Sequence, residues 1–123
     1  MKIVIKCTKL EFTEAIERYL EKRLGGLEKF LPKVEPASVV CRVEVERLMK
    51  GHHKKGDVFR AEANLDILGQ VWRAEGFSDD LYAAIDEVYD KLKREIVTHK
   101  KKMIDQRVRK ARKTSNELPI TGY

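Results

Sequence analysis

The chain has 123 residues, 37% of them charged and 42% hydrophobic, and its formal net charge at pH 7 is +6. This length allows one domain with a substantial hydrophobic core and is too short for two ordinary domains. No apolar run approaches the roughly 18 residues of a membrane-spanning helix, and the first residues alternate with lysine instead of forming a signal peptide. We therefore expect a cytosolic protein that contacts no membrane.

The first predicted element is a half-buried strand over residues 2–8, because Ile3, Ile5 and Cys7 alternate there with two lysines. Cys41 is the only other cysteine and falls at an inward position of a later predicted strand. In a reducing compartment we interpret both cysteines as small buried hydrophobic residues, not as a disulfide or a redox pair.

A helix is predicted next, with the Thr13 hydroxyl capping its free N–H groups and Pro32 ending it. Its inward positions are all apolar: Ile16, Leu20, Leu24, Leu27 and Leu31. Its outward row is basic: Arg18, Lys22 and Lys29. This row fits equally a solvated face balanced by glutamates and a surface for an anion. Gly25 and Gly26 should weaken the helix by about 1 kcal/mol each, which predicts a kink.

Three further strands are predicted from alternating apolar residues. Residues 38–46 and 59–67 form a long antiparallel hairpin across a polar turn at residues 51–56, and residues 70–75 form the last strand. With a C-terminal helix the order is β-α-β-β-β-α. A four-stranded sheet with one polar face and both helices packed on the other is an α+β fold.

The last predicted element is a long helix over residues 79–113, with Ser78 or Asp79 as its N-cap. One apolar stripe repeats at steps of three and four: Leu81, Ile85, Val88, Leu92, Ile96, His99 and Met103. Residues 91–113 contain eleven Lys and Arg against two acidic residues, so the positive excess of the chain is concentrated there. A helical wheel places Lys91 and Lys102 on one flank of the stripe, Lys93 and Lys100 on the other, and Arg94 and Lys101 opposite it.

We expect packing against the domain to stop near Met103, so that the helix overhangs it. A domain of residues 1–110 followed by a flexible tail of residues 111–123 is the predicted organisation. The overhang also carries Ile104, Val108 and Ala111 on one face, three positions that are too few for a stable coiled coil. We therefore expect a monomer when the protein is free.

The sequence gives little indication of catalysis or metal binding. It contains no glycine-rich phosphate loop and no assignable Ser/His/Asp or Cys/His set. His52 and His53 are adjacent, so their side chains diverge, and no further ligands lie at zinc-site spacing. We expect no enzyme, no metal and no cofactor.

Lysine and arginine neutralise phosphates, so the cationic helix favours nucleic acid, with folded RNA recognised by shape and backbone. His99 is interpreted first as a residue at the edge of the core and second as a group that stacks on a base or contacts a phosphate. We expect Trp72 and the tyrosines to be core or core-edge residues, not platforms for bases.

The segment from Ala74 to Lys102, AEGFSDDLYAAIDEVYDKLKREIVTHKKK, closely resembles the signature of the ribosome hibernation-promoting factor and protein Y family, also called the sigma-54 modulation or ribosome-associated inhibitor family. The resemblance depends on DLYAAID, on DKL, on Arg94 and on the pair His99 and Lys100. It extends to the first helix, TEAIERYLEKRLGGLEKFL, and covers about residues 1–105.

This resemblance implies a fold like that of double-stranded RNA-binding domains. It also implies binding to the small ribosomal subunit of bacteria, in the channel of messenger and transfer RNA, where occupancy inhibits translation under stress. The contacts with ribosomal RNA would come from the two basic rows: Arg18, Lys22, Arg23, Lys29, Lys91, Arg94, His99, Lys100, Lys101 and Lys102. The alternative is a general module for double-stranded RNA, which would bind naked duplex about as well as ribosomes.

Overall fold

The computed structural model describes residues 1–49 and 57–117, with side chains described up to Lys100. The strands are β1 (Lys2–Thr8), β2 (Val39–Arg47), β3 (Phe59–Ile67) and β4 (Gln70–Ser78). The helices are α1 (Glu14–Gly25) and α2 (Leu81–Glu117), with short 3-10 segments at Gly26–Phe30 and Pro36–Ser38. The order β-α-β-β-β-α and the α+β class are confirmed. The predicted turn at residues 51–56, including His52 and His53, lies outside the described residues.

The four strands form one mixed sheet in the order β1-β2-β3-β4. β1 pairs with β2 in parallel, through the crossover that contains α1, and the other two pairings are antiparallel. One row across the sheet joins Ile5, Val43, Ala63 and Ala74. These small or β-branched residues point towards the helices, so both helices can pack closely on this inner face of the sheet.

The hydrophobic core lies between this inner face and the two helices. All five predicted inward residues of the first helix belong to it, and so do Leu81, Ile85, Val88, Leu92 and Ile96 of α2. Cys41 is fully buried, which confirms its packing role, whereas Cys7 is half-buried. The Thr13 hydroxyl accepts a hydrogen bond from the Ile16 N–H at 3.2 Å, as predicted for a helix cap.

The first helix changes from α-helical to 3-10 geometry at Gly25 and Gly26. α1 ends at Gly25, and Gly26 begins a tighter 3-10 segment that continues to Phe30. The glycine pair was predicted to kink a helix that ends at Pro32; instead the α-helix itself ends there, and the 3-10 segment keeps Leu27 fully buried. Both glycines have negative φ, so the interruption follows from weak helix propensity and not from a left-handed backbone.

The predicted boundary between β4 and α2 is wrong. Instead of ending at Glu75, β4 continues through Gly76, Phe77 and Ser78, which pair with β3. The cap is Asp80, whose carboxylate accepts from the Tyr82 N–H at 3.1 Å, and not Ser78 or Asp79. Glycine is required at position 76 because α2 passes close to the strand there. A Cβ on residue 76 would lie 2.5 Å from the Ala84 carbonyl oxygen, so only glycine lets the helix pack this closely on β4.

α2 is 37 residues long, about 55 Å at the usual rise per residue. It continues to Glu117, beyond the predicted helix end at Lys113. The predicted stop of packing near Met103, the pairing row on residues 104–111 and the division into domain and tail stay predictions, because the side chains after Lys100 are not described. No helix in the described parts of the chain is both long and apolar enough to cross a membrane.

On the outer face of the sheet, Arg60 is the centre of an acidic cluster. Its Nε donates to Glu75 at 2.6 Å, and its Nη1 donates to Glu46 at 3.2 Å and Glu44 at 3.3 Å. Its Nη2 also pairs with Glu62, and the Arg60 side chain is only 15% exposed. One guanidinium therefore contacts four carboxylates on three strands.

Hydrogen-bond donors and cations around this cluster lower two carboxyl pKa values. For Glu44 the hydrogen bond from the Thr8 hydroxyl contributes most, and Arg60 and Lys6 add to it against the effect of burial. For Glu62 burial is the largest influence and would raise the pKa. Hydrogen bonds from Arg73 and Asn64 and the nearby positive charges outweigh it, so the net shift is downward.

We expect Arg60→Met to lower the free energy of unfolding at pH 7 by about 2 kcal/mol, because the clustered carboxylates lose their cation. The wild-type stabilisation is present above the ordinary glutamate pKa of 4.5 and is lost as pH falls through the lowered folded values. The gap in unfolding free energy between the wild type and the Arg60→Met variant should therefore narrow below pH 4.5. Urea unfolding at pH 7 and pH 3.5 measures this gap, with Arg42→Met on the same face as control. An equal gap at both pH values would contradict the role of Arg60.

Candidate nucleic-acid interface

The basic residues of α2 divide into those that stabilise the fold and those that face solvent. Lys91 belongs to the first group. Its ammonium donates to the Glu75 carbonyl at 2.7 Å and pairs with Glu87 at 3.0 Å, while Glu87 accepts from the Phe77 N–H at 3.1 Å. The two α2 side chains thus bind two backbone groups of β4. Lys91, predicted to contact RNA, is placed to hold the helix on the strand.

Arg94 and Lys100 belong to the second group. Both are exposed, and neither forms an ion pair within residues 1–49 and 57–100. Their charges are therefore available to an anionic partner without breaking an ion pair among the described side chains. Lys101 and Lys102 belong to α2, but the structure describes only their backbone.

The two basic rows meet at Phe30. The Lys29 ammonium lies 5.3 Å from the centre of this ring, and the Lys93 ammonium of α2 lies 5.1 Å from it. Lys93 was not among the residues predicted to contact RNA, although the helical wheel placed it on a flank of the stripe. The two lysines form one cationic surface that joins the first helix to α2.

Arg23 connects the two helices from a different position. Its Nε donates to Asp86 at 3.0 Å, and its guanidinium lies 4.4 Å from the centre of the Tyr89 ring. The Tyr19 hydroxyl donates to the same carboxylate, and this hydrogen bond is the main reason that the Tyr19 pKa is raised. Asp86 is the link between these groups. Arg23 therefore has an internal role, although 41% of its side chain is exposed.

The outward row of α1 gives a mixed result. Arg18 pairs with Glu14 one turn earlier on the same helix, as expected for a solvated face. Lys22 is exposed and has no ion pair with any residue of the described chain. Only part of this row therefore keeps charge free for a partner.

His99 lies at the edge of the core, against the sheet. Its ring packs edge-to-face on Trp72 of β4, with 5.2 Å between the ring centres. Both residues are half-buried, which confirms the first interpretation of His99 and the core-edge position of Trp72. The contact was not predicted, because it joins residues far apart in sequence whose register depends on the pairing of β4.

Comparison with known proteins shows what this arrangement resembles. The family model described as Sigma 54 modulation protein / S30EA ribosomal protein matches residues 3–104. A protein named Ribosome hibernation promoting factor from Azotobacter vinelandii is 30% identical over 86% of this chain and 89% of its own length. A Ribosome hibernation promotion factor from Picosynechococcus is 30% identical over 97% of this chain and 59% of its own length.

A solved structure extends the similarity to three dimensions. The crystal structure of the N-terminal domain of Thermus thermophilus Protein Y matches with a TM-score of 0.64 and 30% identity. The match covers 80% of this chain and 99% of that domain.

Proposed function

The chain belongs to the Sigma 54 modulation protein / S30EA ribosomal protein family, and on this premise we propose that it is a ribosome hibernation factor. It binds the small ribosomal subunit in the channel of messenger and transfer RNA and excludes both. Translation on idle ribosomes is thereby inhibited under stress or in stationary phase. The family is non-enzymatic, so the chain is not an enzyme. Its place of action is the cytoplasm, where ribosomes work.

One observation supports this function best: the outer face of the sheet carries a cluster of carboxylates around Arg60, whereas the helical side carries exposed cations that have no ion pair within the described residues. On the outer face of the sheet, Arg60 and Arg73 both bind carboxylates. On the helical side, Arg94 and Lys100 have no ion pair within the described residues. A polyanion should therefore be attracted more strongly to the helices than to the outer face of the sheet.

The internal contacts also divide the proposed RNA-binding residues by role. We assign direct contacts with ribosomal RNA to the residues that bind no carboxylate in the described structure or whose side chains lie beyond it: Lys22, Lys29, Lys93, Arg94, His99, Lys100, Lys101 and Lys102. Arg18, Arg23 and Lys91 are assigned to positioning, because each already binds a carboxylate. Phosphate contacts from the first group supply affinity without sequence preference.

Co-sedimentation with small ribosomal subunits at near-physiological salt tests the proposal. Bound protein should resist an excess of naked RNA duplex and be displaced by initiator transfer RNA, since only the latter occupies the channel. Displacement by duplex alone would contradict the hibernation function and favour a general double-stranded RNA-binding module. The same experiment at rising salt should show a steep loss of binding, because phosphate contacts release counterions.

A further inference from the structure

A groove runs between β4 and α2 and consists of two adjoining cavities. The first, of about 330 Å³, is lined by Trp72, Arg94, Glu95, Thr98 and His99. The second, of about 320 Å³, shares Arg94 and Glu95 and extends to Lys91 and Phe77. The helical residues recur at steps of three and four, so one side of α2 forms the wall that faces β4.

The first cavity combines an aromatic wall with charged groups. The half-buried indole of Trp72 and the ring of His99 meet edge-to-face, which fixes the orientation of both rings. Arg94 supplies a guanidinium, and Glu95 supplies a carboxylate on the same wall; both side chains are exposed. A volume near 330 Å³ lies at the lower end of ligand pockets, which suits one flat ring system better than a larger group.

We propose that this cavity binds one unpaired nucleobase of RNA. The base stacks on the Trp72 indole, and the Arg94 guanidinium pairs with its phosphate. The Glu95 carboxylate accepts a hydrogen bond from an exocyclic amino group, which favours cytosine over uracil. The proposal rests on the proposed function for the source of the base, which is an unpaired nucleotide of ribosomal RNA.

A peptide strand added to β4 is the other occupant that this position could attract. The edge of β4 is already occupied at two backbone groups, because Lys91 binds the Glu75 carbonyl and Glu87 binds the Phe77 N–H. An added strand would have to displace both side chains and their ion pair. Stacking on Trp72 requires no such displacement, so the geometry favours a base over a peptide.

Trp72 is the only tryptophan of the chain, so its fluorescence reports directly on the cavity. We expect a five-nucleotide oligocytidylate to quench this fluorescence, an oligouridylate to quench it less, and an abasic oligonucleotide of equal length to leave it unchanged. A five-residue oligoglutamate, the peptide probe, should also leave it unchanged. Quenching by the abasic strand or by the peptide would overturn the assignment of a base.

Substitutions separate stacking from charge. With a dye-labelled oligocytidylate followed by anisotropy, Trp72→Leu should weaken binding about tenfold, whereas Trp72→Phe keeps an aromatic surface and should lose little. Phe12→Leu removes another exposed aromatic ring outside the groove and should have no effect.

Glu95→Gln changes an exposed residue, leaves the fold intact and should abolish the preference for cytosine. Wild-type affinity in Trp72→Leu, or an unchanged preference in Glu95→Gln, would refute the proposal.

Parallel co-sedimentation with small ribosomal subunits distinguishes the two proposals. If wild-type protein binds subunits but no oligonucleotide quenches Trp72, the base site is wrong and the proposed function stands. If oligocytidylate quenches Trp72 but subunits are not bound, the base site is supported and the proposed function is wrong.

Discussion

Replacing Arg94 and Lys100 together with glutamate is expected to weaken binding to small ribosomal subunits by at least about 100-fold. A charge-assisted hydrogen bond contributes about 1.5–3 kcal/mol, so the loss of two accounts for that factor before any repulsion from the new carboxylates. The fold should survive, because both residues are exposed and have no ion pair within the described chain. Quantitative co-sedimentation at several salt concentrations measures the affinity and its salt dependence.

The matched control for this variant is Lys2→Glu with Arg42→Glu. It replaces one lysine and one arginine, changes the net charge equally, and lies on the strands β1 and β2 at exposed positions. If binding depends on the helical side, this control should lose much less affinity, and its salt dependence should stay close to that of the wild type. Equal losses in both variants would mean that net charge alone drives binding.

A triple substitution that adds Lys91 to Arg94 and Lys100 would be a poorer test than the pair. Lys91 is exposed, yet its ammonium binds the Glu75 carbonyl and Glu87. A glutamate at position 91 would face Glu87 and leave that carbonyl without its donor. Loss of ribosome binding in the triple variant could therefore come from the lost contacts with the ribosome or from weaker attachment of α2 to β4, and the experiment would not separate the two.

Gly76→Ala is expected to lower the free energy of unfolding by about 3 kcal/mol. The added Cβ would lie 2.5 Å from the Ala84 carbonyl oxygen and 3.0 Å from the Glu87 Cβ, so α2 must move away from β4. Such a loss corresponds to a fall in Tm of roughly 10 °C or more for a domain of this size. Thermal unfolding followed by circular dichroism measures it.

Gly25→Ala is the matched control for Gly76→Ala. Gly25 lies in α1 with helical φ, and a Cβ there would contact nothing within 4 Å. Alanine favours a helix over glycine, so this substitution should stabilise the protein by about 0.5–1 kcal/mol. If both variants were destabilised alike, glycine would matter through flexibility and not through the close approach of α2 to β4.

The elements could be predicted because their signals are local. Alternation on the strands and steps of three and four on the helices depend only on which residues must be buried, and the core residues of both helices were predicted from them. The end of β4 could not be predicted in this way. Gly76 ordinarily indicates a turn, and only the approach of Ala84 explains why it extends the strand.

The site was predictable in position but not in the roles of individual residues. Charge concentration identified α2, because counting lysines and arginines requires no structure. Whether a given cation is free depends on the residues opposite it: Arg23 binds Asp86, and Lys91 binds a carbonyl of β4. The proximity of Trp72 and His99 likewise follows from strand register, which a single sequence does not specify to one residue.

The parallel pairing of β1 with β2 implies an order of assembly. β3 and β4 are joined by Leu68 and Gly69, both with positive φ, so this hairpin closes through a tight local turn. β1 meets β2 only after a loop of about thirty residues has closed, at a larger cost in chain entropy. The antiparallel meander should therefore form before β1 docks. The residues that a ribosome translates first would be among the last to reach their native positions.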